Sequence, residues 1–79
     1  MITYVAQPIH CKRNGASVTL IFGEDGITGE VKLHDVVSSS DEVPDAIKLP
    51  PRPCTAKEIN KAQKLKLKNE LPCTYKVDM

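Results

Sequence analysis

Hydrophobic and polar residues alternate over most of the first third of the chain, which is typical of strands with one buried face. The dipeptide Asn14-Gly15 separates two such stretches, and both of its residues accept the positive φ angles of a tight hairpin turn. A two-residue loop at this point places Cys11 opposite Val18. This pairing puts the apolar side chains on one face, so the sequence predicts a β-hairpin.

A second reversal is predicted at residues 23–26, where two glycines flank two acidic residues. It places Phe22 opposite Ile27 and continues the apolar face onto a third strand. Because a slip of one residue would turn a strand's apolar side chains to the other face, the agreement of the two turns favours an antiparallel meander. Its three strands are predicted at about residues 2–12, 16–22 and 27–36. The predicted core face consists of Ile9, Cys11, Val18, Leu20, Phe22, Ile27, Val31 and Leu33.

Pro8 lies inside the first predicted strand and has no N–H to donate to a neighbouring strand. It therefore predicts either an edge position or a β-bulge. A bulge would bring Ile2, Tyr4 and Ala6 onto the core face as well.

The connection at residues 38–53 differs in kind from the strands before it. It contains three serines, three acids and four prolines, which oppose a long regular element. We expect a flexible, mostly extended loop with at most one helical turn, near residues 44–47. Loops of this length in compact domains are often functional or disordered.

Thr55 and Glu58 have the spacing of a capping box and predict a helix over residues 56–69, which ends before Pro72. The residues 73–79 alternate apolar and polar and predict a final strand. The chain is therefore expected to form one α+β domain over residues 1–79. Its element order is βββαβ: a three-stranded antiparallel meander, a long proline-rich loop, one helix and a C-terminal strand.

Four lysines recur along one side of the predicted helix: Lys57, Lys61, Lys64 and Lys68. This spacing places them on one stripe, which suits an acidic protein surface or a run of phosphates. The helix contains no arginine and no aromatic residue, and this weakens a nucleic-acid interpretation. An ordinary solvated helix face is the alternative.

The loop at 38–53 is the second candidate surface. Asp41, Glu42 and Asp45 offer negative charge to a partner, and Arg52 lies in a minimal P-x-x-P pattern of the kind that docks in aromatic grooves. The alternative is a stiff spacer that returns the chain to the helix. Charge is otherwise balanced, with 11 basic and 10 acidic residues, so no overall field favours nucleic acid or membrane.

The sequence contains none of the familiar patterns for catalysis or metal binding. Its three cysteines are far apart and lack a Cys-x-x-Cys pair, so we expect reduced, buried thiols in a cytoplasmic protein. His10 and Cys11 are neighbours on a strand and point to opposite faces, which excludes them as a catalytic pair. We therefore expect neither enzyme activity nor a metal or other cofactor.

These observations predict a small binding protein, a regulator or inhibitor that occupies a surface of a larger protein partner. Chains of this kind include accessory proteins of phages and mobile elements. The alternative is a nucleic-acid-associated protein that uses the lysine-rich helix face. A homodimer through an open sheet edge is a further hypothesis, and no membrane association is expected.

Overall fold

The structure is a computed structural model that describes residues 2–13 and 15–69. The three long strands are β1 (Ile2–His10), β2 (Ser17–Asp25) and β3 (Val31–Val37). A 3₁₀ helix at Ser40–Glu42 follows, and then two brief strands, β4 (Ile47–Lys48) and β5 (Arg52–Pro53). The helix α1 covers Ala56–Leu67.

The described strands form one sheet with the spatial order β3-β2-β1-β4, and β5 also pairs with β1. The pairs β1–β2 and β2–β3 are antiparallel, whereas β4 and β5 run parallel to β1. The α+β class, the three-stranded meander and the single helix are therefore confirmed. The strand predicted at residues 73–79 lies outside the described residues.

The first hairpin closes on a longer loop than the dipeptide Asn14-Gly15 predicts. Ile9 lies opposite Val18, and the amide of Cys11 donates to the carbonyl of Ala16 at 2.8 Å. The predicted pairing of Cys11 with Val18 is wrong by two residues. A shift of two preserves the alternation of both strands, so the predicted faces are still correct.

The second hairpin turns later than predicted. β2 continues to Asp25, and Phe22 lies opposite Leu33 instead of Ile27. Ile27 consequently falls in the loop and is 87% exposed, while Val31 is 48% exposed. The prediction that these two residues belong to the core is therefore wrong.

The carboxylate of Asp25 accounts for the position of this turn. Its Oδ1 accepts hydrogen bonds from the amides of Ile27 at 2.8 Å and Thr28 at 3.2 Å. These two bonds stabilise the charged form and lower the pKa of Asp25. An aspartate that pairs with amides two and three positions ahead starts a turn at its own position.

The two hairpin loops share one backbone pattern. In each, the residue that opens the loop, Cys11 or Asp25, accepts a hydrogen bond from the amide of a glycine four positions later. Those glycines, Gly15 and Gly29, have φ angles of 72° and 73°. Residues with a Cβ rarely adopt this conformation, so the position of the glycine fixes where each loop closes.

A β-bulge in the second hairpin brings a residue into the core that simple alternation misses. The register shifts between Ile21 and Phe22, so that β3 contributes one extra residue. Leu33 and Val36 are therefore both buried on the face of the sheet that packs against α1, although residues three positions apart in a regular strand point to opposite faces.

The register of β1 along β2 is continuous, so the predicted bulge at Pro8 is wrong. β1 is a central strand, and Pro8 has an edge position only locally, on the side of β4 and β5. The carbonyls of Ala6 and His10 face the other neighbour, where they accept from the amides of Leu49 at 3.0 Å and Cys54 at 2.8 Å. Pro8 lies two positions from each of them, so its backbone faces the same side, and the N–H that it lacks would point into the gap between β4 and β5.

The larger hydrophobic cluster lies between the sheet and α1. Its buried members are Ile9, Cys11, Val18, Leu20, Leu33, Val36, Ile59 and Ala62. Five of the eight predicted core residues are among them, and Phe22 packs against the cluster while partly buried. The predicted core of the meander is thus confirmed except at its distal end.

A smaller cluster occupies the other face of the sheet. Ala6, Ile21 and Ala46 are buried there, with Val37 and Val43 packed around them. Ile21 is the residue that breaks the predicted apolar pattern of β2, and this second cluster explains its position. Since β1 has no bulge, Ala6 belongs to this face and not to the helix side.

The segment that supplies Val43 and Ala46 is held by a short 3₁₀ helix instead of the helical turn predicted at 44–47. Its cap is a capping box in which the carboxylate of Glu42 accepts from the amides of Ser38 at 2.9 Å and Ser39 at 3.0 Å. Part of the predicted loop therefore covers the sheet.

Candidate interaction surface

α1 begins and ends close to the predicted positions. The side chain of Thr55 accepts from the amide of Glu58 at 3.3 Å, which confirms the threonine half of the predicted capping box, while the carboxylate of Glu58 pairs with Arg52. Lys68 is the C-terminal cap residue. Ile59 and Ala62 are buried against the sheet, so the opposite side of the helix is left to solvent.

The first turn of α1 is anchored by a buried ion pair. Glu58 is 1% exposed, and its Oε1 lies 2.7 Å from a guanidinium nitrogen of Arg52. A second guanidinium nitrogen lies 3.5 Å from Oε2, which gives the pair a two-point geometry. Arg52, predicted as a partner contact, therefore has a partner within the chain.

The last turn of α1 is tied to β3, an outer strand of the sheet that the described residues form. The ammonium of Lys66 donates to the carbonyl of Val36, and it lies 3.5 Å from a carboxylate oxygen of Asp35. The sequence places Lys66 near the core side and predicts that its long stem reaches solvent. Its side chain is 52% exposed, in agreement with that prediction, and its ammonium contacts β3 as well.

The four lysines of the predicted stripe are all exposed. Together with Asn60 and Leu65 they border a shallow groove of about 410 Å³ along the outside of α1. We call these lysines the lysine face: Lys57, Lys61, Lys64 and Lys68. The structure thus brings together the residues that the sequence predicts as one group.

Two further basic residues lie near the start of α1. Lys12 and Arg13, which belong to the β1–β2 loop and are exposed, border one cavity of about 330 Å³ with Thr55 and Ala56. They place further positive charge beside the start of α1. Sequence reasoning misses them because a hairpin loop shows no sign of which helix it meets.

The predicted acidic residues do not act as one group. Glu42 uses its carboxylate to cap the 3₁₀ helix, whereas Asp41 and Asp45 are exposed on the same segment. Lys48 donates to the carbonyls of Val43 at 3.3 Å and Pro44 at 3.2 Å, which adds positive charge beside them. The loop is therefore a weaker candidate surface than the lysine face.

Residues 2–13 and 15–69 contain neither a metal-binding cluster nor a membrane-spanning helix. This part of the chain has no group of three His, Cys, Asp or Glu side chains placed to hold a metal ion. It also has no helix long and apolar enough to cross a membrane. Every buried side-chain nitrogen or oxygen in these residues has a hydrogen-bond partner, so no orphaned polar group points to a missing ligand.

The comparisons with known proteins give no relative. A scan of protein-family models, a search of curated proteins and a search of solved structures each find no match to this chain.

Proposed function

We propose that this chain is a small non-enzymatic binding protein whose lysine face docks on an acidic surface of a larger protein partner. The observation that carries the proposal is the presentation of four exposed lysines along one side of a helix whose other side is held to the sheet. In this role the chain acts as a regulator or inhibitor, because it covers a surface that the partner otherwise uses.

The anchoring of α1 supports this role. Arg52–Glu58 holds the first turn and Lys66 holds the last, while Ile59 and Ala62 lie in the core between them. A helix fixed at both ends presents its charges in one arrangement, so docking does not have to order the backbone. Exposed charges of this kind raise association rates and set orientation more than they add affinity.

The chemistry of lysine also favours a protein partner. Each ammonium is a compact, strongly hydrated charge without the planar fork that recognises phosphate or guanine at two points. The groove beside the lysines is bordered by Asn60 and Leu65, and none of the described residues that line it carries an aromatic ring to stack on a base. A dispersed set of carboxylates is the complementary surface.

Nucleic acid is the second candidate, and the placement of Lys12 and Arg13 favours it. These residues bring two more positive charges, one of them a guanidinium, to the cavity at the start of α1. Phosphates spaced along a backbone are complementary to such positive charges.

Affinity capture with paired charge-reversal variants tests the proposal. The first variant carries Lys57→Glu and Lys64→Glu on the lysine face. The matched control carries Lys32→Glu and Lys48→Glu, which change the net charge equally but lie on β3 and β4. Circular dichroism of both variants verifies that the helix is intact.

Wild type and control are expected to capture the same acidic protein from a lysate of the producing cells, with salt-sensitive recovery, while the lysine-face variant loses it. Equal recovery with both variants would contradict the proposal. Recovery that disappears after nuclease treatment would also contradict it, and would favour the nucleic-acid candidate.

A further inference from the structure

Cys11 and Cys54 lie next to each other at the ends of two parallel strands. β5 pairs with β1 so that His10 lies opposite Pro53, and the amide of Cys54 donates to the carbonyl of His10 at 2.8 Å. Extending this register by one residue places Cys11 opposite Cys54. Opposed residues of neighbouring strands project to the same face, so the two thiols emerge side by side.

Packing agrees with this register. Cys54 packs against the hydrophobic cluster that contains Cys11, and both cysteines border the cavity at the start of α1. Cys11 is 3% exposed, whereas Cys54 is only partly buried. Cys54 is therefore the thiol that a dissolved reagent reaches first.

The backbone spacing is compatible with a disulfide. Neighbouring strands lie about 4.8 Å apart, and disulfides join residues whose Cα atoms are roughly 4.4–6.8 Å apart. Both cysteines stand one residue beyond the last paired position of β1 and β5. Small adjustments needed to form the bond therefore fall at strand ends.

We propose that Cys11 and Cys54 form an oxidation site, a dithiol that a small-molecule disulfide such as oxidised glutathione converts to an intrachain disulfide. The pairing links the end of β1 to the residue before the Thr55 cap of α1, and so joins the first hairpin to the base of the helix. Nothing in the linear spacing of the cysteines suggests this pair, because 42 residues separate them in the sequence.

The reaction is a double thiol–disulfide exchange. The thiolate of Cys54 attacks one sulfur of oxidised glutathione, forms a mixed disulfide and releases one glutathione thiolate. Cys11 loses its proton and attacks the Cys54 sulfur of that mixed disulfide, which releases the second glutathione. The protein loses two electrons and two protons, and the oxidant becomes two reduced glutathione molecules.

Several charged groups set the rate of the first step. Burial, the carboxylate of Glu58 and the neighbouring Cys11 raise the pKa of Cys54, against the opposing charge of Arg52. Lys12 and Arg13 border the same cavity and bring further positive charge near the thiol. Because the thiolate is the nucleophile, oxidation is slow at neutral pH and speeds up as the pH rises.

The test uses the full chain carrying Cys73→Ser, which leaves two thiols. The protein is equilibrated with reduced and oxidised glutathione, in native buffer and in concentrated urea, then acid-quenched and weighed by mass spectrometry. The expected product has lost two hydrogen masses, carries no glutathione and resists alkylation. The equilibrium constant for forming the intrachain disulfide is expected to be more than about tenfold larger in native buffer than in urea, because folding raises the effective concentration of one thiol at the other.

The double variant Cys11→Ser/Cys73→Ser provides the control and is expected to stop at the glutathione adduct. In the wild-type chain, peptide mapping after oxidation is expected to join Cys11 to Cys54. The proposal is overturned if the Cys73→Ser protein yields only adducts, if urea leaves the equilibrium constant unchanged, or if mapping joins Cys73 to either partner.

Discussion

Replacing Arg52 with methionine is expected to lower the free energy of unfolding by about 3 kcal/mol. Methionine retains a long apolar side chain but removes the guanidinium that lies 2.7 Å from the carboxylate of Glu58. That carboxylate is 1% exposed, so it loses its charge partner without gaining water. Breaking a buried pair in this way costs roughly 3–5 kcal/mol. The 24% exposure of the Arg52 side chain places the cost at the lower end, because water reaches the pair from that side.

This loss is a large fraction of the total stability. A domain of 79 residues is expected to have a free energy of unfolding of roughly 4–12 kcal/mol. In domains of this size, 1 kcal/mol corresponds to about 4–8 °C in melting temperature, so the variant is expected to melt roughly 10–25 °C lower.

Urea titration followed by far-ultraviolet circular dichroism measures the effect, since the chain has no tryptophan for fluorescence. Lys32→Met is the matched control. It removes the partner of Glu30 in an exposed pair 3.7 Å apart and is expected to change stability by less than about 0.5 kcal/mol. The double variant Arg52→Met/Glu58→Gln removes the buried charge as well, and it is expected to recover at least about 1 kcal/mol of the loss.

Two results would refute this reasoning. A loss of under about 1 kcal/mol in Arg52→Met would mean that Glu58 is not buried against a required partner. A double variant no more stable than Arg52→Met would mean that the uncompensated charge is not the cause of the loss.

Three further changes test other parts of the structure. Gly29→Ala forces a Cβ into a φ of 73° and is expected to cost about 1–2 kcal/mol in urea titration; an unchanged midpoint would refute the loop geometry. The pKa of Asp25 is lowered in the folded state, so its carboxylate stabilises the fold above its unfolded pKa, and this stabilisation is lost as the pH falls through the folded pKa. Asp25→Asn is therefore expected to make the free energy of unfolding depend less on pH in the acid range. Parallel pH profiles for the variant and the wild type would contradict this. The pKa of Cys54 is raised in the folded state, so the protonated thiol favours folding and this contribution is lost as the pH rises. Under reducing conditions the wild type is therefore expected to lose stability relative to Cys54→Ser between about pH 8 and about pH 10. A difference in unfolding free energy that stays constant over this range would argue against burial of the thiol.

The faces of the sheet are predictable from the sequence even where the register is not. The predicted pairing is wrong by two residues at the first hairpin and by more at the second, yet Ile9, Val18, Leu20 and Leu33 are buried on the predicted side. Side chains alternate with a period of two, so the even errors at Cys11 and Phe22 leave the faces unchanged, and the face changes only past the bulge, at Val36.

The position of the turn between β2 and β3 could not be predicted, because it depends on hydrogen bonds made by one side chain. Asp25 pairs with two loop amides and moves the turn outward, and Ile27 moves with it into solvent. The sequence places the turn at residues 23–26, and the apolar pattern does not indicate that Gly29 closes it instead. The bulge that buries Val36 has no signal in the apolar pattern either.

The lysine face is predictable because helical spacing and a cap residue define it within one segment. The contacts that hold the helix are not visible in that spacing. Arg52 lies six positions before Glu58, on β5, and the pairing of β5 with β1 fixes where β5 lies, while Lys66 meets Val36 across 30 positions of sequence. Contacts of this kind depend on tertiary packing, which periodicity does not encode.

Lysine footprinting of the complex tests the central claim most directly. The chain is acetylated with a short pulse of reagent, free and bound to its captured partner, and modification at each lysine is read by mass spectrometry. Protection is expected at the four residues of the lysine face, while Lys32 and Lys48 react equally in both states. Protection confined to Lys48, or spread equally over all lysines, would contradict docking through α1.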